Sequence, residues 1–240
     1  EEDGVFSISY EIETDYFEEP YKVTDRILTY SSKDAFRNAI EQLIAPVDFF
    51  IYNNFNRIGI KSIKLSIKRS ALEYAFLDDI TLLETRAVAG ETIHLRVGIT
   101  PYGQEKTYIN IPVKLPVNLT TDIYSIYAAN EYIYNYAERL FMPNKYKIRN
   151  LDDVMRIYGK SYDDKALKVW LYSSSRGVQI GKDSFPSLPI SRYGVIADNY
   201  TSDKSAVINA IEGEYNMPYS ILGLMKIDII IEGADKYENR

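Results

Sequence analysis

Residues 92–115 constrain the fold most, because their letters alternate at a period of two on both sides of a turn. Ile93, Leu95, Val97 and Ile99 alternate with Thr92, His94, Arg96 and Gly98. After Pro101-Tyr102-Gly103-Gln104 the alternation resumes with Ile109, Ile111, Val113 and Leu115. Period two sends one row of side chains to a core and the other to water, and Pro and Gly supply the angles that reverse the chain. The segment predicts a β-hairpin with His94, the only histidine, on its wetter face.

The rest of the chain supports a β-rich reading. Phe6, Ile8, Tyr10 and Ile12 predict a strand over 5–13, followed by an acidic, aromatic loop over 15–20. Ser31 and Asp34 resemble a capping box, and Phe36, Ala39, Ile40 and Leu43 follow at helical spacing until Pro46 closes the helix. Ile63, Leu65 and Ile67 sit in the opposite parity to Ile58 and Ile60, which predicts a β-bulge near Lys61-Ser62. Further strands are expected over 80–86 and 122–128, with a turn at Ala89-Gly90-Glu91. Residues 130–142 read as a strand end plus a short helix or an irregular segment, broken by Pro143-Asn144. Asn150 caps a helix that runs through Tyr158 and ends at Gly159, with Asp152 and Asp153 at its positive end. Leu167, Val169 and Leu171 mark a strand with Trp170 and Tyr172 on its other face. A Pro-punctuated loop over 184–192 leads into a helical turn over 190–198, and strands over 206–211 and 219–232 finish the chain.

Short strands at this spacing predict an α+β, β-rich chain: an antiparallel Ig-like β-sandwich with a few short helices, and a second, mixed α/β C-terminal part. The expected division is a sandwich-like domain over 1–130 and a smaller α+β domain over 131–240. At 240 residues there is chain enough for two cores.

Composition narrows the function. A net charge of -6, from 34 acidic and 28 basic residues, argues against nucleic-acid binding, which depends on neutralising phosphates. The local cluster Lys61, Lys64, Lys68 and Arg69 reads as the solvated face of a strand. No cysteine is present, so disulfides and thiolate metal sites are ruled out, as fits an extracytoplasmic protein. The start Glu1-Glu2-Asp3 has no signal-peptide character, and the chain is expected to be a mature or trimmed portion of something longer. No apolar run has membrane-spanning length, since 221–231 is interrupted by Lys226 and Asp228. Tyrosine is the unusual entry: 22 residues against one Trp and nine Phe. Its ring packs while its hydroxyl hydrogen-bonds, which suits strands and contact surfaces. The candidate contact surface is Tyr124, Tyr127, Tyr132, Tyr134 and Tyr136.

Catalytic equipment is sparse, and no catalytic, cofactor or metal residues are assigned. A Ser-His-Asp arrangement would have to use His94, which a regular strand points outward. Tyr158-Gly159-Lys160-Ser161 ends like a phosphate-binding loop, yet Val154 stands where that motif needs glycine. The pairs Asp78-Asp79, Asp152-Asp153 and Asp163-Asp164 lack the alternating oxygens of a calcium loop and read as surface turns and helix caps. Asn118-Leu119-Thr120 and Asn199-Tyr200-Thr201 match the glycosylation triplet.

The block Gly90-Glu91-Thr92 through Thr100-Pro101-Tyr102-Gly103-Gln104-Glu105, then 109–116, sets an order of segments. In that order it resembles the β-rich region C-terminal to the peptidase domain in bacterial SpoIVB-type serine peptidase family envelope proteins. A short helix ending Leu43-Ile44-Ala45-Pro46 agrees, as does Gly177-Val178-Gln179-Ile180-Gly181 leading into Phe185-Pro186-Ser187-Leu188-Pro189-Ile190-Ser191. That family's glycine-flanked nucleophilic serine has no counterpart here, since Ser173-Ser174-Ser175-Arg176-Gly177 lacks the flanking Gly and Pro. The resemblance implies an accessory region exported to the envelope without the protease.

Three functions are therefore weighed. The leading expectation is a non-enzymatic extracytoplasmic module for protein–protein contact or envelope assembly, its partners other proteins, copies of itself or an upstream domain of the same precursor. The others are a fragment of, or accessory to, a secreted serine peptidase, and a carbohydrate- or peptide-binding sandwich.

Overall fold

The computed structural model describes residues 4–29, 31–70, 73–117, 119–141, 143–159, 163–172, 178–180, 183–185 and 208–233. In chain order, β1 (Gly4–Thr14) and β2 (Tyr21–Thr29) precede α1 (Ser32–Tyr52) and β3 (Ile60–Ser70). β4 (Tyr74–Leu82), β5 (Arg86–Val88), β6 (Thr92–Pro101), β7 (Thr107–Lys114) and β8 (Asp122–Asn130) follow. α2 (Glu131–Phe141), a 3-10 turn (Pro143–Tyr146) and α3 (Leu151–Tyr158) lead to β9 (Ala166–Tyr172), β10 (Val178–Ile180) and β11 (Asp183–Phe185). β12 (Ile208–Asn216), β13 (Ser220–Leu222) and β14 (Leu224–Glu232) come last. The chain forms two compact units, 1–73 with 147–164 and 74–146 with 165–240, so each draws on chain from both sides of residue 130.

In the first unit, β1 is the centre of a three-stranded antiparallel sheet ordered β2-β1-β3. Its inner row, Phe6, Ile8, Tyr10 and Ile12 with Tyr21 and Val23, is buried. On the other face Glu11 lies 3.5 Å from Lys22 and 3.7 Å from Lys64, and Lys64 reaches Glu13 at 2.9 Å. The expected bulge is present: Glu13 pairs with Ser62 and Thr14 with Ile60, which leaves Lys61 as the extra residue. Lys61, Lys64, Lys68 and Arg69 are exposed along β3, an edge strand, where such charges hinder pairing with another sheet.

Ser31 caps α1, its hydroxyl accepting the Asp34 N–H at 3.2 Å. Pro46 does not close the helix, which continues to Tyr52. A mid-helix proline removes one backbone hydrogen bond and crowds the preceding turn, at a cost of about 3 kcal/mol. Burial offsets that cost, because the turns around it bury Pro46 and Phe50 and pack Leu43, Val47 and Phe49 on the core. α3 follows the sequence closely: Asn150 Oδ1 accepts the Asp153 N–H at 2.9 Å, and the Gly159 N–H returns to the Met155 carbonyl at 3.0 Å.

The second unit has a five-stranded sheet, β12-β9-β8-β14-β5, and a four-stranded sheet, β13-β4-β6-β7. Both contribute to one core: Leu77, Leu95, Val97 and Ile111 from the four-stranded sheet, Ile126, Val169, Leu171 and Ile229 from the other. Neighbouring strands are antiparallel except β13 with β4 and β14 with β5. The hairpin of β6 and β7 keeps the register its letters predict, pairing Ile93 with Val113, Leu95 with Ile111 and Val97 with Ile109. Gly103 takes φ 69° in the turn, where the Gln104 N–H donates to the Pro101 carbonyl at 3.0 Å.

Two expected strands prove to be pairs of strands. The segment expected over 80–86 ends as β4 at Leu82 and restarts as β5 at Arg86, and the segment expected over 219–232 divides at Gly223. The reason is the same in both. β4 and β13 belong to the four-stranded sheet and β5 and β14 to the five-stranded one, so each segment changes sheet midway. Gly223 makes its crossing at φ 108°, where a Cβ would lie 3.4 Å from the Leu77 carbonyl oxygen. β10 and β11 form a separate antiparallel ladder, so Ser184 and Phe185 are strand rather than loop. The rest of that loop and the helical turn expected over 190–198 lie outside the described residues. Among the described residues, no helix is long and apolar enough to cross a membrane.

Candidate contact surface

The five tyrosines chosen from sequence do not form one surface. Tyr124, only 2% exposed, belongs to the core of the second unit, and its hydroxyl donates to the Thr120 carbonyl at 2.9 Å. It is corrected from contact residue to core residue, because β8 turns Tyr124, Ile126 and Ala128 to the inner face. The other four gather around α2. Asn130 starts that helix, its Oδ1 accepting the Ile133 N–H at 2.9 Å while its Nδ2 donates to the Ile221 carbonyl at 2.8 Å. The end of β8 is thereby tied both to the helix and to the neighbouring β13.

One side of α2 packs on aromatic rings of the five-stranded sheet. Tyr127 stacks on Trp170 at 5.4 Å between centroids and 12° between planes. Tyr134 meets Trp170 edge-on at 5.4 Å, and Phe141 lies 4.8 Å from Tyr172. Such ring pairs add about 0.5–1.5 kcal/mol each beyond the area they bury. Tyr127 and Tyr134 thus brace the helix, whereas Tyr132, Tyr136 and Leu140, at i, i+4 and i+8, are its exposed large side chains. These three are 55–61% exposed.

Between the two sides Glu138 is buried at 6% exposure. Lys145 Nζ donates to its Oε1 at 2.7 Å, the Tyr134 hydroxyl to the same oxygen at 3.3 Å, and the Tyr146 hydroxyl to Oε2. The Arg139 guanidinium lies 5.3 Å from the centre of the Tyr146 ring. Burial pushes the Glu138 carboxyl up, but the bonds from Lys145, Tyr146 and Tyr134 outweigh it and hold it below its ordinary value. Burial, and then the neighbouring Glu138 charge, raise both phenols well above theirs. The phenols therefore stay protonated as donors, and the carboxylate stays ionised as their acceptor. This network fastens the 3-10 turn to α2. It does not supply a poised acid or base, which would need a pKa near the working pH.

Other chemistry-bearing groups are dispersed. His94 is exposed, as expected; its Nδ1 lies 3.0 Å from Glu84 Oε1, and its N–H donates to Glu84 Oε2 at 3.0 Å. Asp78 and Asp79 lie within β4 and not in a turn, Asp78 being the extra residue where Leu77 pairs with Ile99 and Asp79 with Gly98. Thr100 donates to Asp78 and Lys106 to Asp79. Asp153 is a buried cap residue accepting the Arg149 N–H at 3.0 Å, and Asp164 lies 3.7 Å from Arg26. Among the described residues no group of three or more His, Asp or Glu could hold a metal ion. Lys160, Ser161, residues 173–177, Asn118 and residues 199–201 lie outside the described residues.

Sequence reasoning missed Trp170 and Glu138 as the buried supports behind this surface. Trp170 had a signal, its position opposite the Leu167-Val169-Leu171 row. Glu138 had none, since a helical glutamate ordinarily reads as solvated. No family model matches the chain, and neither a curated protein nor a solved structure matches it.

Proposed function

We propose that this chain is a non-enzymatic, extracytoplasmic module for protein–protein contact or envelope assembly, with an Ig-like sandwich as its larger unit. The observation that carries the reading is the exposed row Tyr132, Tyr136 and Leu140 on a helix braced from behind by Trp170 and Tyr127. Aromatic side chains lose little freedom on binding and dominate the energetics of protein interfaces. A helix already fixed by ring packing and by the Glu138 network presents them without further ordering. The absence of cysteine and the resemblance to the accessory region of SpoIVB-type envelope proteins support an exported setting.

The test is quantitative affinity capture from the envelope fraction of cells that make the protein, comparing the native chain with a Tyr132→Ala/Tyr136→Ala variant. Both side chains are exposed, so the variant should keep its far-UV circular dichroism. Loss of an aromatic anchor costs about 2 kcal/mol, roughly thirtyfold in affinity. The proteins recovered by the native chain should fall accordingly. Equal recovery by the variant would overturn the reading.

A further inference from the structure

The first unit carries a second apolar row, on α1. The buried side of that helix is Ala35, Ala39, Pro46 and Phe50. Alongside it Phe36, Ile40, Ile44 and Ile51, spaced 4, 4 and 7, remain 36–55% exposed, with half-buried Val47 between the last two. The row extends about 22 Å at the helical rise of about 1.5 Å per residue. A surface helix needs one apolar stripe for its own core. α1 has that stripe and another next to it.

A charged row follows the apolar one at the same spacing, three residues earlier at each step: Lys33, Arg37, Glu41 and Asp48. Its sign reverses along the helix, basic in the first two positions and acidic in the last two. Among the described residues Arg37 meets only the exposed Asp34, at 2.7 Å, and Lys33, Glu41 and Asp48 make no ion pair. A row that runs from positive to negative is complementary to its own reverse. Two copies of α1 packed antiparallel about the level of Leu43 set Phe36 of each close to Ile51 of the other, and Arg37 of each close to Asp48 of the other. A two-fold interface requires this self-complementarity.

We infer that the exposed face of α1 is a homodimer interface in which two copies of the helix pack antiparallel, the apolar rows meeting and the Arg37 and Asp48 ends pairing across the two-fold axis. The occupant is a second copy because the charge pattern matches itself. A partner of uniform charge would be repelled by one half of the row. The inference concerns the first unit and does not depend on the reading of α2.

Sedimentation equilibrium of the full chain tests it, with five variants. The native chain should dimerise with a dissociation constant on the order of 10 μM, as fits a small interface. Ile44→Glu, at an exposed position, should weaken association at least about thirtyfold with an unchanged melting curve. Arg37→Glu and Asp48→Arg should each weaken it about tenfold, and the double variant R37E/D48R should return it to within about twofold of native. Tyr136→Ala should leave the dimer intact, which separates this result from the fate of the α2 reading. A chain that stays monomeric to about 200 μM, a dimer insensitive to I44E, or a double variant that does not recover would each overturn the inference.

Discussion

Glu138 and Asp25 show how the same group, a carboxyl, acquires opposite behaviour from its neighbours. Glu138 has its burial overcome by three donors, so its carboxyl lies below its ordinary value. The stability it contributes is fully present above the unfolded value near 4.5 and is lost as pH falls through the lower folded value. Glu138→Ala leaves Lys145, Tyr146 and Tyr134 without their shared acceptor, and we expect a loss of about 2–3 kcal/mol in urea denaturation at pH 7. The difference from native should shrink at pH 3. Asp25 sits on the inner face of β2, where Gln42 Nε2 donates to Oδ2 and the Arg26 N–H to Oδ1, both at 2.8 Å. Burial pushes its carboxyl up, and the Asp164 charge adds to this against those two bonds. The sign is therefore reversed: ionised Asp25 costs stability above its folded pKa, and the cost disappears below the unfolded value near 3.8. Asp25→Asn should raise the melting temperature at pH 7 and lose that advantage as pH approaches 3.8. An Asn amide can also donate to Gln42 Oε1, which has no donor among the described contacts. Neither behaviour was legible in sequence, because both depend on residues distant along the chain or on which side of an element faces inward.

Among the elements, legibility followed the range of the interactions. The hairpin turn and both ends of α3 are fixed by contacts within a few residues, and the letters announce them; the Lys61 bulge is announced by a change of parity even though its partners, Glu13 and Thr14, are distant along the chain. The sheet changes at 83–85 and at Gly223 depend on which of two sheets each half joins; at Gly223 the inward parity of Ile221 continues through Ile227 and Ile229, whereas it shifts between Leu82 and Ala87. Gly223 was still a clue, since a glycine inside a strand pattern often marks a break. Two glycines with positive φ allow a comparison. A Cβ at Gly103 meets nothing within 4 Å, whereas one at Gly223 meets the Leu77 backbone at 3.4 Å, at a φ further from the left-handed helical minimum. Gly103→Ala should cost about 1 kcal/mol from the backbone alone. Gly223→Ala should cost clearly more, and thermal melts of both variants measure the difference. Equal costs would mean that the sheet crossing does not require glycine. The passage of α1 through Pro46 has a plainer lesson: a local helix breaker yields when enough apolar surface is buried around it.

For the whole molecule, the two units use the chain in an interleaved order, 1–73 returning at 147–164. α3 contributes Leu151 and Val154 to the core that Tyr10, Ile12, Tyr21 and Phe50 supply from the opposite end of the sequence. A chain beginning at residue 74 should therefore retain hydrogen-exchange protection in β6, β8 and β9 and lose it over 151–158. Protection of α3 in that shortened chain would contradict the division. The central claim is that the protein works by presenting the α2 surface to other proteins. Because the native sequence has no cysteine, a single one placed at Tyr136 can carry a photo-crosslinker, with Tyr16, an exposed tyrosine of the first unit, as the control site. The account predicts discrete protein adducts in the cell envelope from position 136 that are absent from position 16. No adduct from 136, or the same adducts from both positions, would contradict it.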